Sequence, residues 1–268
     1  MLIIGEKINP IRKDVARAIT ERDGKFIQDM ALKQVEAGID ILDLNAGNDP
    51  YRELENLRWL VEVVQERVDI PLALDSANPE AIIHAFQSVK KKEKVMVNSL
   101  KVQKGHGNES LLKIIRDYNL RVVVLCMDEK GMPKTSEGRL ETGKRIVDFA
   151  GRQGIYPEHL FLDVVGEPIS VDHTNGQVAL KALELIKSSL PNTHTVICID
   201  AISFGLPKRR LLHRAYVPLL IAAGLDALFC DPIDISLRAT IKATEAVLGR
   251  DEYCSEYINA YREGLLAL

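Results

Sequence analysis

The sequence predicts a (β/α)8 barrel, and two observations carry that reading. Eight short runs of β-branched and aliphatic residues recur along the chain, separated by longer stretches with helical character. The chain has 268 residues, and such a barrel takes roughly 250 as a single domain, so one domain spanning residues 1–268 is expected. An open, doubly wound sheet shares the alternation, but no GxGxxG follows any of the strands.

In chain order, the strands are expected at residues 2–5 (LIIG), 39–44 (IDILDL), 70–75 (IPLALD) and 94–98 (KVMVN). Those of the second half fall at 121–126 (RVVVLC), 160–163 (LFLD), 194–199 (HTVICI) and 226–230 (DALFC). The first is short, but its unbroken apolar character suits a parallel strand buried on both faces. The helix over 23–38 ends at Gly38, a residue suited to a helix C-terminus. The stretch 56–68 (NLRWLVEVVQERV) repeats apolar residues at three- and four-residue spacing. The helix over 78–89 opens with Asn78 as N-cap and Pro79 at the first helical position. Segments 176–190 and 233–249 continue the alternation, and a basic, apolar helix follows PKRR at 207–210.

Composition narrows the function classes. With 46% hydrophobic residues, 27% charged residues and a net charge of −3, the chain lacks the electrostatic footprint of a nucleic-acid binder. Its one basic run, VKKKEK at 89–94, reads as a solvated helix end before the next strand. No apolar run approaches the ~18 residues that span a bilayer. The opening MLIIGEKINP lacks the features of a signal peptide. Cys126, Cys198, Cys230 and Cys254 are widely spaced, without a CxxC, and no HExxH or His cluster is present, so no metal site is expected. Reduced thiols in a cytoplasmic protein are the expectation.

In a barrel of this kind, function sits where the strands end. Those ends read Glu6 and Asn9, Asp43 and Asn45, Asp75, Asn98, Asp128, Asp163, Asp200 and Asp231. Any one of these can be explained as a helix cap or strand terminator. A ring of carboxylates and carboxamides at nearly every strand end instead suits a planar, donor-rich heterocycle. An ionised carboxylate accepts two parallel N–H bonds, and a carboxamide offers both donor and acceptor. A pterin, with its amidine edge, carbonyl and ring nitrogens, matches that set. A phosphate site fits less well, because the last two strand ends lack a Gly-rich turn.

The segments MLIIGEKIN, LDLNAG, LALDSANPEAI, VMVNS, GMPK, FLD, ISFGLPKRR and AGLDALFCDP occur in this order at successive strand ends, from Met1 to Pro232, within a similarity that runs to about Glu256. Through them the chain resembles the methyltetrahydrofolate–corrinoid protein methyltransferases. These share a pterin-binding barrel with the folate module of cobalamin-dependent methionine synthase. The resemblance implies a TIM barrel of the pterin-binding type, a homodimer, and tetrahydrofolate or 5-methyltetrahydrofolate bound as substrate at the barrel mouth. It implies methyl exchange between folate N5 and the cobalt of cobalamin or another corrinoid on a separate protein. With no corrinoid domain expected in the chain itself, that partner approaches the mouth from outside. By matching motif, Asp75, Asn98 and Asp163 are expected to grip the pterin, supported by Glu6, Asn9 and Asn45. Asp200 and Ser203 belong to the same substrate-facing set, and Arg209 is expected to contact the folate tail.

Two departures from the family pattern stand out. Relatives present an asparagine to N5 from a segment of the form (G/S)LSN(I/V)S after the seventh strand. Here CIDAIS puts Ala201 at that position. The asparagine matters because the tertiary amine leaves poorly unless N5 gains positive charge, so a catalyst must position the reactants and favour charged N5. Three explanations stay open: Asp200 as an acidic substitute, although a strand would turn it away from residue 201; a degenerate folate binder; or a deliberate Asn→Ala replacement. The otherwise typical ISFGLPKRRLL favours the last. The second departure follows Asp163, where relatives often have Pro-Leu and this chain reads VVGEP. A folate-binding subunit with impaired catalysis is the alternative function. Dihydropteroate synthase ranks lower: PKRR offers some cations for a pyrophosphate leaving group, but the remaining motifs fit the methyltransferases better.

Overall fold

A computed structural model of the chain describes residues 1–47, 49–102, 108–127 and 131–266. Its strands are β1 (Leu2–Ile8), β2 (Ile41–Asn45), β3 (Leu72–Asp75), β4 (Met96–Leu100), β5 (Arg121–Leu125), β6 (Leu160–Asp163), β7 (His194–Cys198) and β8 (Ala227–Cys230). They pair in sequence order, all parallel, and β1 closes on β8. The predicted TIM barrel is therefore the observed fold. β1 runs to Ile8, past its apolar start, and β4 runs to Leu100; each shifts register near its end.

The surrounding helices are α1 (Lys13–Glu21), α2 (Gly24–Glu36), α3 (Glu53–Gln65), α4 (Pro79–Gln87), α5 (Glu109–Asp117) and α6 (Ser136–Arg152). α7 (Asn175–Ser189), a single turn α8 (Ile199–Ile202), α9 (Arg209–Ala222), α10 (Ile235–Val247) and α11 (Ser255–Arg262) complete the set. Asn78 caps α4 through the Glu80 N–H with Pro79 in the first turn, as its sequence predicts. Asp23 and Asp234 cap α2 and α10 in the same manner.

Alternation along each strand divides the barrel into two apolar layers. Ile4, Ile41, Ala73, Met96, Val123, Phe161, Val196, Ala227 and Phe229 fill the interior. The other strand faces pack against the helices in a second, larger cluster. Gly5 lets α2 approach β1, since a Cβ there would lie 2.6 Å from Gln34 Oε1. That same oxygen accepts the Lys7 N–H at 3.1 Å. The start of the chain is thus held so that Glu6 ends the inward column of β1.

Candidate functional site

The interior columns, followed upward by twos, turn polar at the mouth. Ile4 leads to Glu6, Ile41 to Asp43 and Asn45, Ala73 to Asp75, Met96 to Asn98 and Phe161 to Asp163. Register brings three of these together on adjacent strands, since Asn45 pairs with Asp75 and Asp75 with Asn98. Paired residues on neighbouring strands share a face, so the three side chains form one rung across β2, β3 and β4. Asn45 Nδ2 donates to Asp75 Oδ2 at 2.7 Å, while Asn98 Nδ2 donates to Asp43 Oδ1 at 3.1 Å. Asn45 Oδ1 also accepts the Gly47 N–H at 2.8 Å, which locks its carboxamide orientation. Opposite them, Asp163 Oδ1 accepts the Val165 N–H at 2.7 Å.

These acids resist ionisation. Burial, reinforced by the charges of Asp200, Asp231 and Asp75, pushes Glu6 up to about 7. Burial also raises Asp75 to about 6, against the lowering effect of its Asn45 bond. Asp163 rises to about 7 by burial, opposed by the Val165 N–H and the Arg139 charge. Burial and the neighbouring Asp75 drive Asp43 well above the usual carboxylate range. A compact mouth lined by such acids and two carboxamides offers convergent acceptors and donors to a flat polar ring. Perturbed titrations of this kind cluster at functional sites.

Residues 15–228 match the family described as pterin binding enzymes. The chain belongs to that family. It is 35% identical over 268 residues to the methylcorrinoid:tetrahydrofolate methyltransferase of Eubacterium limosum, an alignment covering 98% of this chain and 97% of the relative. It is 23% identical over 239 residues to the methionine synthase of Mycobacterium tuberculosis, covering 85% of this chain but 20% of that longer protein. The Xanthomonas albilineans dihydropteroate synthase structure with 4-aminobenzoic acid superposes with a TM-score of 0.68 at 18% identity, over 94% of this chain and 93% of that one. That likeness is one of fold.

Within this pterin-binding barrel, the segment after β7 differs from the sequence reading. The strand stops at Cys198 and residues 199–202 coil into α8, so the alternation expected to separate Asp200 from Ala201 does not apply. Successive helical residues are ~100° apart around the axis instead. The Asp200 carboxylate faces α9, with Oδ2 3.5 Å from Arg209 Nη2 and Oδ1 3.7 Å from His213 Nε2. Ser203, fully buried, lies with Oγ 2.6 Å from His213 Nε2 and accepts the Arg209 Nε–H at 2.9 Å. Arg209 also donates through Nη2 to the Asp200 carbonyl at 2.6 Å. Arg209, Ser203 and His213 therefore brace the turn that carries Ala201.

The two departures from the family pattern meet in space. A Cβ built on Gly166 of the VVGEP loop would sit 3.5 Å from the Ala201 methyl. Asn9 shapes the loop after β1, its Oδ1 accepting the Ile11 N–H at 3.0 Å. Asp231 is held by Lys7 Nζ at 2.6 Å. Asp128 lies outside the described residues.

Cys198, absent from the expected site, is the inward tip of β7, with Sγ 3.1 Å from Glu6 Oε2. Burial and Glu6 hold it as a protonated thiol. Continuing the column from Val196 by two would have found it. Lys7 and His213 had no such signal, because their partners come from the loop after β8 and from the turn at α8 and just past it.

Proposed function

We propose that this barrel binds tetrahydrofolate at its mouth and transfers a methyl group between folate N5 and the cobalt of a corrinoid carried by a partner protein. The observation that carries the reading is the rung Asn45–Asp75–Asn98 facing Asp163, together with 35% identity across nearly the whole length of a methylcorrinoid:tetrahydrofolate methyltransferase. Asp75, Asn98 and Asp163 take the pterin's N–H groups and ring acceptors, and Asn45 fixes the Asp75 carboxyl. Glu6 closes the floor beneath them. Arg209, though braced against Ser203, keeps its guanidinium partly exposed, which supports the proposed contact with a folate tail. The name of the Eubacterium limosum relative gives the direction from methylcorrinoid to tetrahydrofolate, and we take the same direction here.

A corrinoid-bearing partner is supported by the loops around the mouth. Ile11, Tyr51, Val171 and Phe204, on the loops after β1, β2, β6 and β7, are 90%, 99%, 81% and 67% exposed. Exposed apolar side chains around a polar site suit docking of another protein. We also propose a homodimer, supported by an apolar groove of about 260 Å³ between α7 and α9, lined by Ile169, Leu180, Ile202, Leu212, Tyr216 and Leu219. The cysteines are free, consistent with the cytoplasm, and among the described residues no helix is long and apolar enough to cross a membrane. One pterin-binding barrel over residues 1–268 is the domain reading we keep.

The test is an anaerobic absorbance assay with methylcobalamin and tetrahydrofolate, and in reverse with Co(I) cobalamin and 5-methyltetrahydrofolate. The protein is expected to transfer the methyl group, and Ala201→Asn to raise the rate by ~10²-fold, by analogy with other transition-state hydrogen-bonding groups. Silence of both proteins with folate bound would favour the folate-binding subunit instead.

A further inference from the structure

The loop after β6 is held by an arginine that the sequence gives no reason to single out. Arg139, on α6, has no exposed side-chain surface. Its Nη1 donates to the carbonyls of Val164 at 2.9 Å and Val165 at 3.0 Å, and its Nε to that of Pro133 at 3.2 Å. Nη2 completes the set on Glu167 Oε2 at 2.9 Å. Glu167 lies on the same loop and also receives Lys134 Nζ at 3.1 Å.

The conformation so clamped is unusual. Val165 has φ of 50°, the left-handed region that a β-branched side chain strongly disfavours. Such a turn persists only where its surroundings over-determine it, and the arginine fork on two consecutive carbonyls does that. The turn has one consequence for the mouth: it aims the Val165 N–H at Asp163 Oδ1, 2.7 Å away.

We infer that Arg139 and Glu167 act as a positioning pair for Asp163, fixing through the Val164–Val165 turn both the orientation and the ionisation of the carboxyl that faces the ligand. The inference rests on the pterin-binding reading only for what Asp163 then grips. The fork and the turn are independent of it.

The electrostatic setting makes the pair separable from ordinary packing. Asp163 is faced by the Arg139 charge from α6, by the Val165 N–H and by the neutral thiol of Cys126 from the end of β5. Arg139 in turn is faced by Glu167, Cys126, Asp163 and, from α9, Tyr216. Removing the Arg139 charge takes away an interaction that favours ionised Asp163. Removing the Glu167 charge leaves that of Arg139 less neutralised. The two changes must therefore move the Asp163 titration in opposite directions.

The experiment follows the Asp163 carboxyl by ¹³C NMR in the full chain labelled at aspartate, with the resonance assigned by its loss in Asp163→Asn. Arg139→Met is expected to raise the titration midpoint by roughly 0.5–1 pH unit, and Glu167→Gln to lower it by roughly 0.3. A folded variant of either kind that titrates like the unmodified protein overturns the inference. If Arg139→Met fails to fold by circular dichroism, Glu167→Gln decides alone, a downward shift supporting the pair and an unchanged midpoint overturning it. Calorimetry with tetrahydrofolate on the same samples separates the two readings. Shifted midpoints without folate binding to the unmodified protein leave the positioning pair standing and overturn the proposed ligand.

Discussion

At the scale of single residues, the acids of the mouth trade stability for a binding surface. Asp163 has an ordinary value of 3.8 and rises to about 7 in the fold. Between those values the folded chain keeps a proton that the unfolded chain gives up. The contribution of this group is thus fully present below about pH 4, falls as pH rises to about 7, and stays low above. Glu6 and Asp75 act in the same sense. Asp163→Asn keeps an oxygen for the Val165 N–H but removes the buried charge. It should therefore be more stable than the unmodified protein at pH 8, by on the order of 1–3 kcal/mol, with the difference shrinking towards pH 4. Scanning calorimetry across pH 4–8 checks this, and a difference independent of pH would contradict it. Glu6, Asn45, Asp75, Asn98 and Asp163 were legible in the sequence because period-two alternation carries each inward from an apolar residue two positions earlier. The orientation expected for Asp200 relative to Ala201 does not hold because β7 ends at Cys198, and nothing local announces that a strand becomes a helical turn there.

At the scale of elements, caps and apolar stripes made most of the barrel readable. The α4 cap is a local case, Asn78 accepting the Glu80 N–H at 3.1 Å. Asn78→Ala should cost about 1 kcal/mol and Asn78→Gly only a few tenths. Urea unfolding with an unchanged m-value checks both, and equal costs would argue that the side-chain bond contributes nothing. α6 was not readable in the same way. Its buried positions include Ser136, Arg139, Thr142 and Gly143, so the face it turns to the barrel is too polar and too small to register as an apolar stripe. That same polarity is what lets α6 clamp the β6 loop. α1 was hidden for a different reason: two helices occupy the β1–β2 connection where the alternation calls for one.

At the scale of the whole molecule, a closed parallel barrel gathers residues from distant parts of the chain onto one mouth. The strand count, their order and the polar character of that mouth follow from the eight-fold alternation. The brace of Arg209, Ser203 and His213, the Arg139 fork, and the contact of Ala201 with the Gly166 loop do not. They depend on which side chains meet across loops, and no local pattern encodes that. The central claim is that the rung of β2 to β4 and Asp163 form a pterin site. Anaerobic calorimetric titration of tetrahydrofolate into the protein and into Asp75→Ala, Asn98→Ala and Asn9→Ala tests it most directly. We predict saturable binding by the unmodified protein, a loss of at least ~10-fold, about 1.4 kcal/mol, in the Asp75 and Asn98 variants, and little change in the Asn9 variant. Absence of binding, or equal binding by all four proteins, would contradict the account.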